Sequence, residues 1–221
     1  MRAIYECNEK FFDVIDTEEK AYWLGFLYAD GCIANDTHYM SLVLSISDKE
    51  HLIEFNKHIK STYPIKIERE KYVKLKISNK HIGNSLINKG CIPKKSLILE
   101  FPNLSQVPKF LIRHFIRGYF DGDGYVSKNY YNAKLSIVST KAFCESVQTI
   151  LHEDVGINAS IYTCHKNELT TTRTLQISGR NQIRKFLDYI YNDANLYLQR
   201  KYDIYQSLYA NHENINNTLA V

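Results

Sequence analysis

The chain has 221 residues, 28 basic and 24 acidic side chains, and a composition that is 44% hydrophobic and 13% aromatic. Those proportions are ordinary for a folded globular protein and exclude collagen-like, disordered and coiled-coil chains. No apolar run approaches the ~18–20 residues that cross a bilayer, and the acidic, aromatic N-terminus (Glu6, Glu9, Phe11, Phe12, Asp13) lacks the basic-then-apolar order of a secretory signal.

The five cysteines (Cys7, Cys32, Cys91, Cys144, Cys164) are scattered and never spaced CxxC, which predicts buried free thiols in a reducing, intracellular compartment. The net charge is only +4, but residues 60–95 hold ten basic side chains against Glu68 and Glu70. Basic charge gathered on one segment is how a surface meets a polyanion, most often nucleic acid.

In chain order, a first helix carries WLGFLYADG (Trp23–Gly31), with Asp16 and Glu19 as its expected capping pair. A hairpin follows, in which Leu42, Leu44 and Ile46 alternate with Ser41, Val43 and Ser45. A helix over 48–59, strands at 64–68 and 71–77, and a helix over 79–88 come next. Pro93, Pro102 and Pro108 punctuate a link, and Pro108 opens the helix that carries IRGYFDGDG (Ile116–Gly124). A strand in which Leu135 and Ile137 alternate with Lys134 and Ser136, a helix over 139–151, strands at 158–164 and 172–178, and helices over 180–190 and 196–208 complete the pattern.

The two halves repeat one another. The motifs share the order apolar-x-Gly-aromatic-apolar-x-small-Asp-Gly, with Asp30 and Asp123 93 residues apart. LSISDKEHL (Leu44–Leu52) is aligned with LSIVSTKAF (Leu135–Phe143), and LKISNKHI (Leu75–Ile82) with LQISGRNQI (Leu175–Ile183). Ordered landmarks of this kind predict two copies of one unit, divided here as 1–101 and 102–221, in a pseudo-twofold arrangement.

Ala21, Gly25 and Ala29 recur every fourth residue in the first motif helix, as Gly118 and Gly122 do in the second. Two strips with so little side chain predict helices whose backbones approach closely. Asp30 and Asp123 then fall at helix C-termini, each before a glycine expected as a left-handed cap. A carboxylate there opposes the helix dipole by ~0.3–1 kcal/mol. Two brought together call for a proton or a divalent cation, and hard oxygen ligands suit Mg²⁺. Metal shared between attacking and leaving oxygens is a route to phosphodiester hydrolysis.

Strand parity turns Lys74 and Lys76 away from Val73, Leu75 and Ile77, onto a polar face shared with Ser41, Ser45, Lys134, Ser136, Thr174 and Gln176. β-Ribbons bearing such side chains can read base edges in the major groove of duplex DNA. Asn35, His38, Tyr39, Lys128, Asn129, Tyr131 and Asn132, in the turns, reach farthest, and Arg69, Lys71, Lys166 and Arg173 complete the expected DNA-binding set.

With both motifs, and with the phrase Gly90-Cys-Ile-Pro-Lys-Lys-Ser96, the chain resembles the LAGLIDADG homing endonucleases in their single-chain, two-motif form over residues 18–205. The resemblance implies an α+β fold of two pseudo-symmetric αββαββα units whose antiparallel sheets form a DNA-binding saddle. It implies a monomer that cuts both strands of a long, specific site and leaves short 3′ overhangs. Asp30 and Asp123, with the carbonyls of Ala29 and Gly122, would hold Mg²⁺, with Mn²⁺ able to substitute and Ca²⁺ binding without cleavage. Lys76 would contact the active-site solvent or phosphate. Gln176 departs from that pattern, with Lys166, Arg173 or Arg180 as possible substitutes.

The chain begins with Met1 and ends Leu219-Ala220-Val221, without the nucleophilic first residue and C-terminal His-Asn of protein splicing, so a free-standing protein is expected. The competing reading is an RNA maturase or non-cleaving DNA-binding regulator on the same scaffold. A zinc- or histidine-dependent nuclease finds no HExxH or CxxC spacing, and His114 reads as a helix-packing residue.

Overall fold

The computed structural model describes residues 5–34, 36, 39–129, 133–163 and 172–218, with side chains up to residue 208. The chain forms two compact units, Met1–Gly122 and Asp123–Val221. The sequence repeat divides at 101/102. The compact units divide later, because the second motif helix packs against the first.

In the first unit, α1 (Glu18–Asp30) leads into β1 (Gly31–Ile33) and β2 (Met40–Ser45). Next come α2 (Lys49–His58), β3 (Ile65–Glu68), β4 (Tyr72–Ile77) and α3 (Lys80–Asn88). The cap of α1 is Thr17, whose side chain accepts from the Lys20 amide. Asp16, expected in that role, instead pairs with Lys20 at 2.7 Å. Glu18 and Glu19 in the first turn suit the positive end of the dipole. Residues Ala21 to Tyr28 are all buried, as in a helix enclosed on every side.

The strands form one antiparallel sheet in the order β1-β2-β4-β3. Leu42, Leu44, Val73, Leu75 and Ile77 are buried on one face, with Leu52 and Phe55 of α2 and Leu86 of α3 also in the core. The tight β3–β4 turn puts two non-glycine residues, Arg69 and Glu70, at φ 52° and 58°. The N-terminal segment is a strap on this unit. Phe11, Phe12 and Ile15 are buried, Asp13 bonds to His81 and Ser85, and the Asn8 amide donates to Ile59 O.

The second motif helix, α4 (Ile112–Asp123), follows a 3₁₀ turn at Lys109–Leu111. In the second unit β5 (Tyr125–Val126), β6 (Lys134–Thr140), β7 (Ser160–Thr163) and β8 (Thr172–Ser178) form an antiparallel sheet in the order β5-β6-β8-β7. The helices are α5 (Lys141–Val155), α6 (Arg180–Tyr191) and α7 (Gln199–Thr218). Thr140, not Ser139, caps α5 by accepting from the Phe143 amide. The tyrosine richness has a structural use here: Tyr191, Tyr202 and Tyr205 pack ring against ring between α6 and α7. Each copy is thus αββαββα, and the expected mixed fold with two antiparallel sheets is present.

Register corrects the repeat alignment. Ser41 pairs with Lys76, and Ser136 with Gln176. If Lys76 matches Gln176, then Ser41 matches Ser136 and Leu42 matches Ile137, so the likeness of LSIS at 44–47 to LSIV at 135–138 is out of register. A 3₁₀ turn at Ile46–Asp48 separates β2 from α2, whereas β6 runs directly into α5. The cysteine expectation also changes. Cys91 and Cys144 are buried, Cys7 is half-buried, Cys32 is exposed, and Cys164 lies outside the described residues.

Candidate functional site

The site begins with the α1–α4 contact, whose described part lies within the first unit. A Cβ on Gly25 would stand 2.0 Å from Phe115 O, and one on Gly118 would stand 1.9 Å from Tyr22 O. Each glycine therefore receives a carbonyl of the opposite helix, as the small-residue strips predict. Gly122 continues the contact, since a Cβ there would meet the Ala29 Cβ at 2.4 Å and Asp30 Oδ2 at 3.2 Å. The Asp30 carboxylate thus lies over the backbone of the residue that precedes Asp123 in the chain. Both aspartates end their helices and are exposed.

Gly31 and Gly124 are not left-handed caps. Gly31 is extended (φ −71°, ψ 144°), and Gly124 is not among the residues with positive φ. Gly31 is needed for space, because a Cβ would fall 2.5 Å from Leu27 O. At Gly31 this conformation carries the chain straight from Asp30 into β1.

Two lysines that sequence reasoning missed complete this region. Lys95 Nζ donates to Gly31 O in the first unit. Lys201 Nζ donates to Gly124 O at 2.6 Å in the second, and Lys201 is buried. Each ammonium sits on the carbonyl one residue after an aspartate. The signal was present as two basic dipeptides, Lys94-Lys95 after α3 and Arg200-Lys201 in the first turn of α7. Neither lies on a strand, so parity could not find them.

Beneath the motif residues lies a buried polar network. Arg117 is fully buried, with its guanidinium 2.5 Å from Glu18 Oε1 and 2.9 Å from His114 Nδ1. Burial pushes the His114 imidazole down to about 4, with Arg117 adding to the effect. Tyr22 donates its hydroxyl to Asp121 Oδ2 at 2.7 Å, and His51 Nε2 lies 2.9 Å from the Tyr22 hydroxyl oxygen. His114, expected to pack the helix, is half-buried and bonded to Arg117.

The sheets place Ser41, Ser45, Lys74, Lys76, Lys134, Ser136, Thr174 and Gln176, of the residues expected to meet DNA, on their outer faces. In the first, Cys32, Ser41 and Lys76 lie in one cross-strand row. Lys66, Lys74 and Val43 form the next, and Glu68, Tyr72 and Ser45 the third. Lys76 Nζ sits 3.6 Å over the Tyr39 ring, and Lys74 pairs with Glu68 at 3.1 Å. Ser41 is buried, and Ser45 accepts from Ser47. Arg69 and Lys71 are exposed in the β3–β4 turn.

In the second sheet Tyr125, Ser136, Gln176 and Ser160 form the equivalent row, and Val138, Thr174 and Tyr162 the next. Gln176 donates to Ser178 Oγ at 2.9 Å. Lys134 and Lys128 are exposed. Arg173 is the exception, since it shares parity with Leu175 and Ile177 and donates to Thr172 O. Asn35, His38, Tyr131, Asn132 and Lys166 lie outside the described residues. Val43, Tyr72, Tyr125, Val138 and Tyr162, all on these outer faces, are the apolar side chains exposed there.

The donors at the helix ends are hard oxygens, two carboxylates and neighbouring carbonyls. Taken in its own unit, each helix end offers a carboxylate beside backbone carbonyls, the donor type that a hard divalent cation takes. Among the described residues no three histidine, cysteine or acidic side chains cluster as a metal site, so such an ion would draw on carbonyls and water as well. Among those residues, too, no helix is long and apolar enough to cross a membrane.

An αββαββα unit in two copies, with glycine-paired motif helices ending in aspartate, is the LAGLIDADG fold. Residues 111–191, from the entry into α4 to the end of α6, match the family model of the LAGLIDADG-like domain.

Among solved structures, the chain is similar to the LAGLIDADG homing endonuclease I-GzeII in complex with its DNA target, with a TM-score of 0.60 and 11% identity over 90% of this chain and 91% of that one. It is also similar to full-length DUF199/WhiA from Thermatoga maritima, with a TM-score of 0.55 and 20% identity over 96% of this chain and 70% of that one. At these identities the likeness is one of fold. A protein of Methanocaldococcus jannaschii described as "Probable translation initiation factor IF-2" is 31% identical over 180 residues, 75% of this chain. The chain spans 14% of that relative's length.

Proposed function

We propose that the protein is a divalent-metal-dependent endonuclease acting on duplex DNA at a long, specific site, as a monomer. The observation that carries this reading is the seating of the Asp30 carboxylate against Gly122, next to Asp123, with Lys95 and Lys201 on the following carbonyls. Bound Mg²⁺ would supply Lewis-acid stabilisation of the phosphodiester oxygens and an activated water. Asp30 and Asp123 would hold the ion and orient the attacking water, one for each strand. Lys95 and Lys201 bring a positive charge within one residue of each carboxylate, where it can offset charge developing on phosphate. Lys66, Lys74, Lys76 and Lys134 would neutralise backbone phosphates, while the exposed valines and tyrosines of the outer faces meet base edges and thymine methyl groups.

The test is incubation of purified protein and Mg²⁺ with a plasmid library carrying randomised inserts, followed by sequencing of linear products. Linear DNA with one recurring cut site and short 3′ overhangs is expected. A library retained on the protein yet left circular, with Mn²⁺ as with Mg²⁺, overturns the reading.

The second reading is a DNA-binding regulator or RNA maturase that does not cut. One observation favours it: Gln176 stands in the second sheet where Lys76 stands in the first, and it is bonded to Ser178.

A further inference from the structure

The steric and polar parts of the α1–α4 contact differ in symmetry. Gly25 receives Phe115 O and Gly118 receives Tyr22 O, and each carbonyl lies three residues before the glycine of its own helix. Backbone contact alone would serve two α1 helices, or two α4 helices, as well as one of each. The polar side chains are not repeated. Glu18, Tyr22, Leu24 and Tyr28 of α1 correspond to Leu111, in the 3₁₀ turn that leads into α4, and to Phe115, Arg117 and Asp121 of α4. Arg117 is fully buried 2.5 Å from Glu18, and Asp121, also fully buried, accepts from Tyr22 at 2.7 Å.

We propose that Glu18–Arg117 and Tyr22–Asp121 are a pairing code that matches the two motif helices to each other and rejects the like helix of a second copy. In a pair of α4 helices Arg117 would face Leu111 in place of Glu18, and Asp121 would face Phe115 in place of a hydroxyl. Two buried charges would lose their cross-helix partners and keep only neighbours on their own helix, such as His114 beside Arg117. In a pair of α1 helices Glu18 would face Leu24, and the Tyr22 hydroxyl would face Tyr28. The code therefore combines attraction in the matched pair with a penalty in both mismatched ones. It stands on the contact between the helices and is independent of any cleavage activity.

The test reverses the charges on the full-length chain. Glu18→Arg places two cations at the contact, and Arg117→Glu places two carboxylates there, so each variant alone is expected to melt below wild type. Co-refolded in equal amounts, the two are expected to elute at twice the monomer mass as a one-to-one heterodimer, because exchange of helices restores an opposite-charge pair at both contacts. The double variant Glu18→Arg/Arg117→Glu is expected to be a monomer and to melt above either single variant. The proposal is overturned by single variants that melt as wild type does, by a double variant no more stable than the singles, or by a refolded mixture that gives no heterodimer.

Discussion

Asp30 and Gly122 are in register across the motif helices: the Asp30 carboxylate lies 3.2 Å from the position a Cβ on Gly122 would occupy. That single missing side chain lets an acidic helix end rest against the chain that leads into the second aspartate. Gly122→Ala would meet side-chain atoms, whereas Gly25→Ala and Gly118→Ala would meet backbone carbonyls at 2.0 and 1.9 Å. Gly25→Ala or Gly118→Ala is expected to destabilise by about 3 kcal/mol or more, and Gly122→Ala by about 1–2 kcal/mol. Chemical denaturation checks the order. DNA cleavage by Gly122→Ala should fall further than its stability does, since the new methyl would push on Ala29 Cβ at 2.4 Å and on the adjoining Asp30 carboxylate at 3.2 Å.

The lysines divide by role. Lys95→Met is expected to reduce cleavage at saturating DNA while leaving affinity nearly unchanged, because its ammonium lies at the helix end. Lys76→Met is expected to weaken binding across sequences and to lower the slope of log affinity against log salt by about 1. Gel-shift titrations at several salt concentrations, with single-turnover cleavage, separate the two. Equal effects of both substitutions on affinity would contradict the division.

Acid should weaken the fold through His114. Its imidazole titrates at about 4 in the folded protein against an ordinary 6.5, so between those values the unfolded chain binds more protons. Stability is expected to fall as pH drops from about 6.5 towards 4, with up to one proton taken up on unfolding from this group. His114→Gln keeps an acceptor for Arg117 and is expected to flatten that part of the profile. A profile identical to wild type would remove His114 as the cause.

The β3–β4 turn should be improvable. Arg69 and Glu70 both hold left-handed φ, which side-chain-bearing residues occupy at a cost of about 1 kcal/mol each. Glu70→Gly, with Arg69→Asn, supplies the turn chemistry such hairpins favour and is expected to stabilise by roughly 0.5–1 kcal/mol. An unchanged or lowered Tm would show that the turn is held by something other than local conformation.

Much of this architecture is legible in the sequence because it rests on short-range periodicity. The four-residue spacing of Gly25 and Ala29, and of Gly118 and Gly122, foretells the close helix contact. Alternation foretells the outer faces that carry Lys74, Lys76, Thr174 and Gln176. Arg173 escapes because alternation assigns a face only when the phase is read from its neighbours Leu175 and Ile177. The three residues of the Ile46–Asp48 turn shift strand and helix by different amounts between the copies, so matching words such as LSIS mislead where hydrogen-bond register does not. Lys95 and Lys201 lie far in sequence from the carbonyls they hold, and tertiary contacts of that range leave no periodic trace. The Gly31 conformation depends on Leu27 O standing too near for any Cβ, which a cap rule cannot anticipate.

The most direct measurement is cleavage and binding of a selected duplex by wild type, Asp30→Asn and Asp123→Asn in parallel, with Mg²⁺ for cleavage and Ca²⁺ for binding. The expected result is linear product from wild type only, with both variants binding as wild type does. Undiminished double-strand cutting by either variant would contradict the assignment of these two carboxylates as the metal-holding pair.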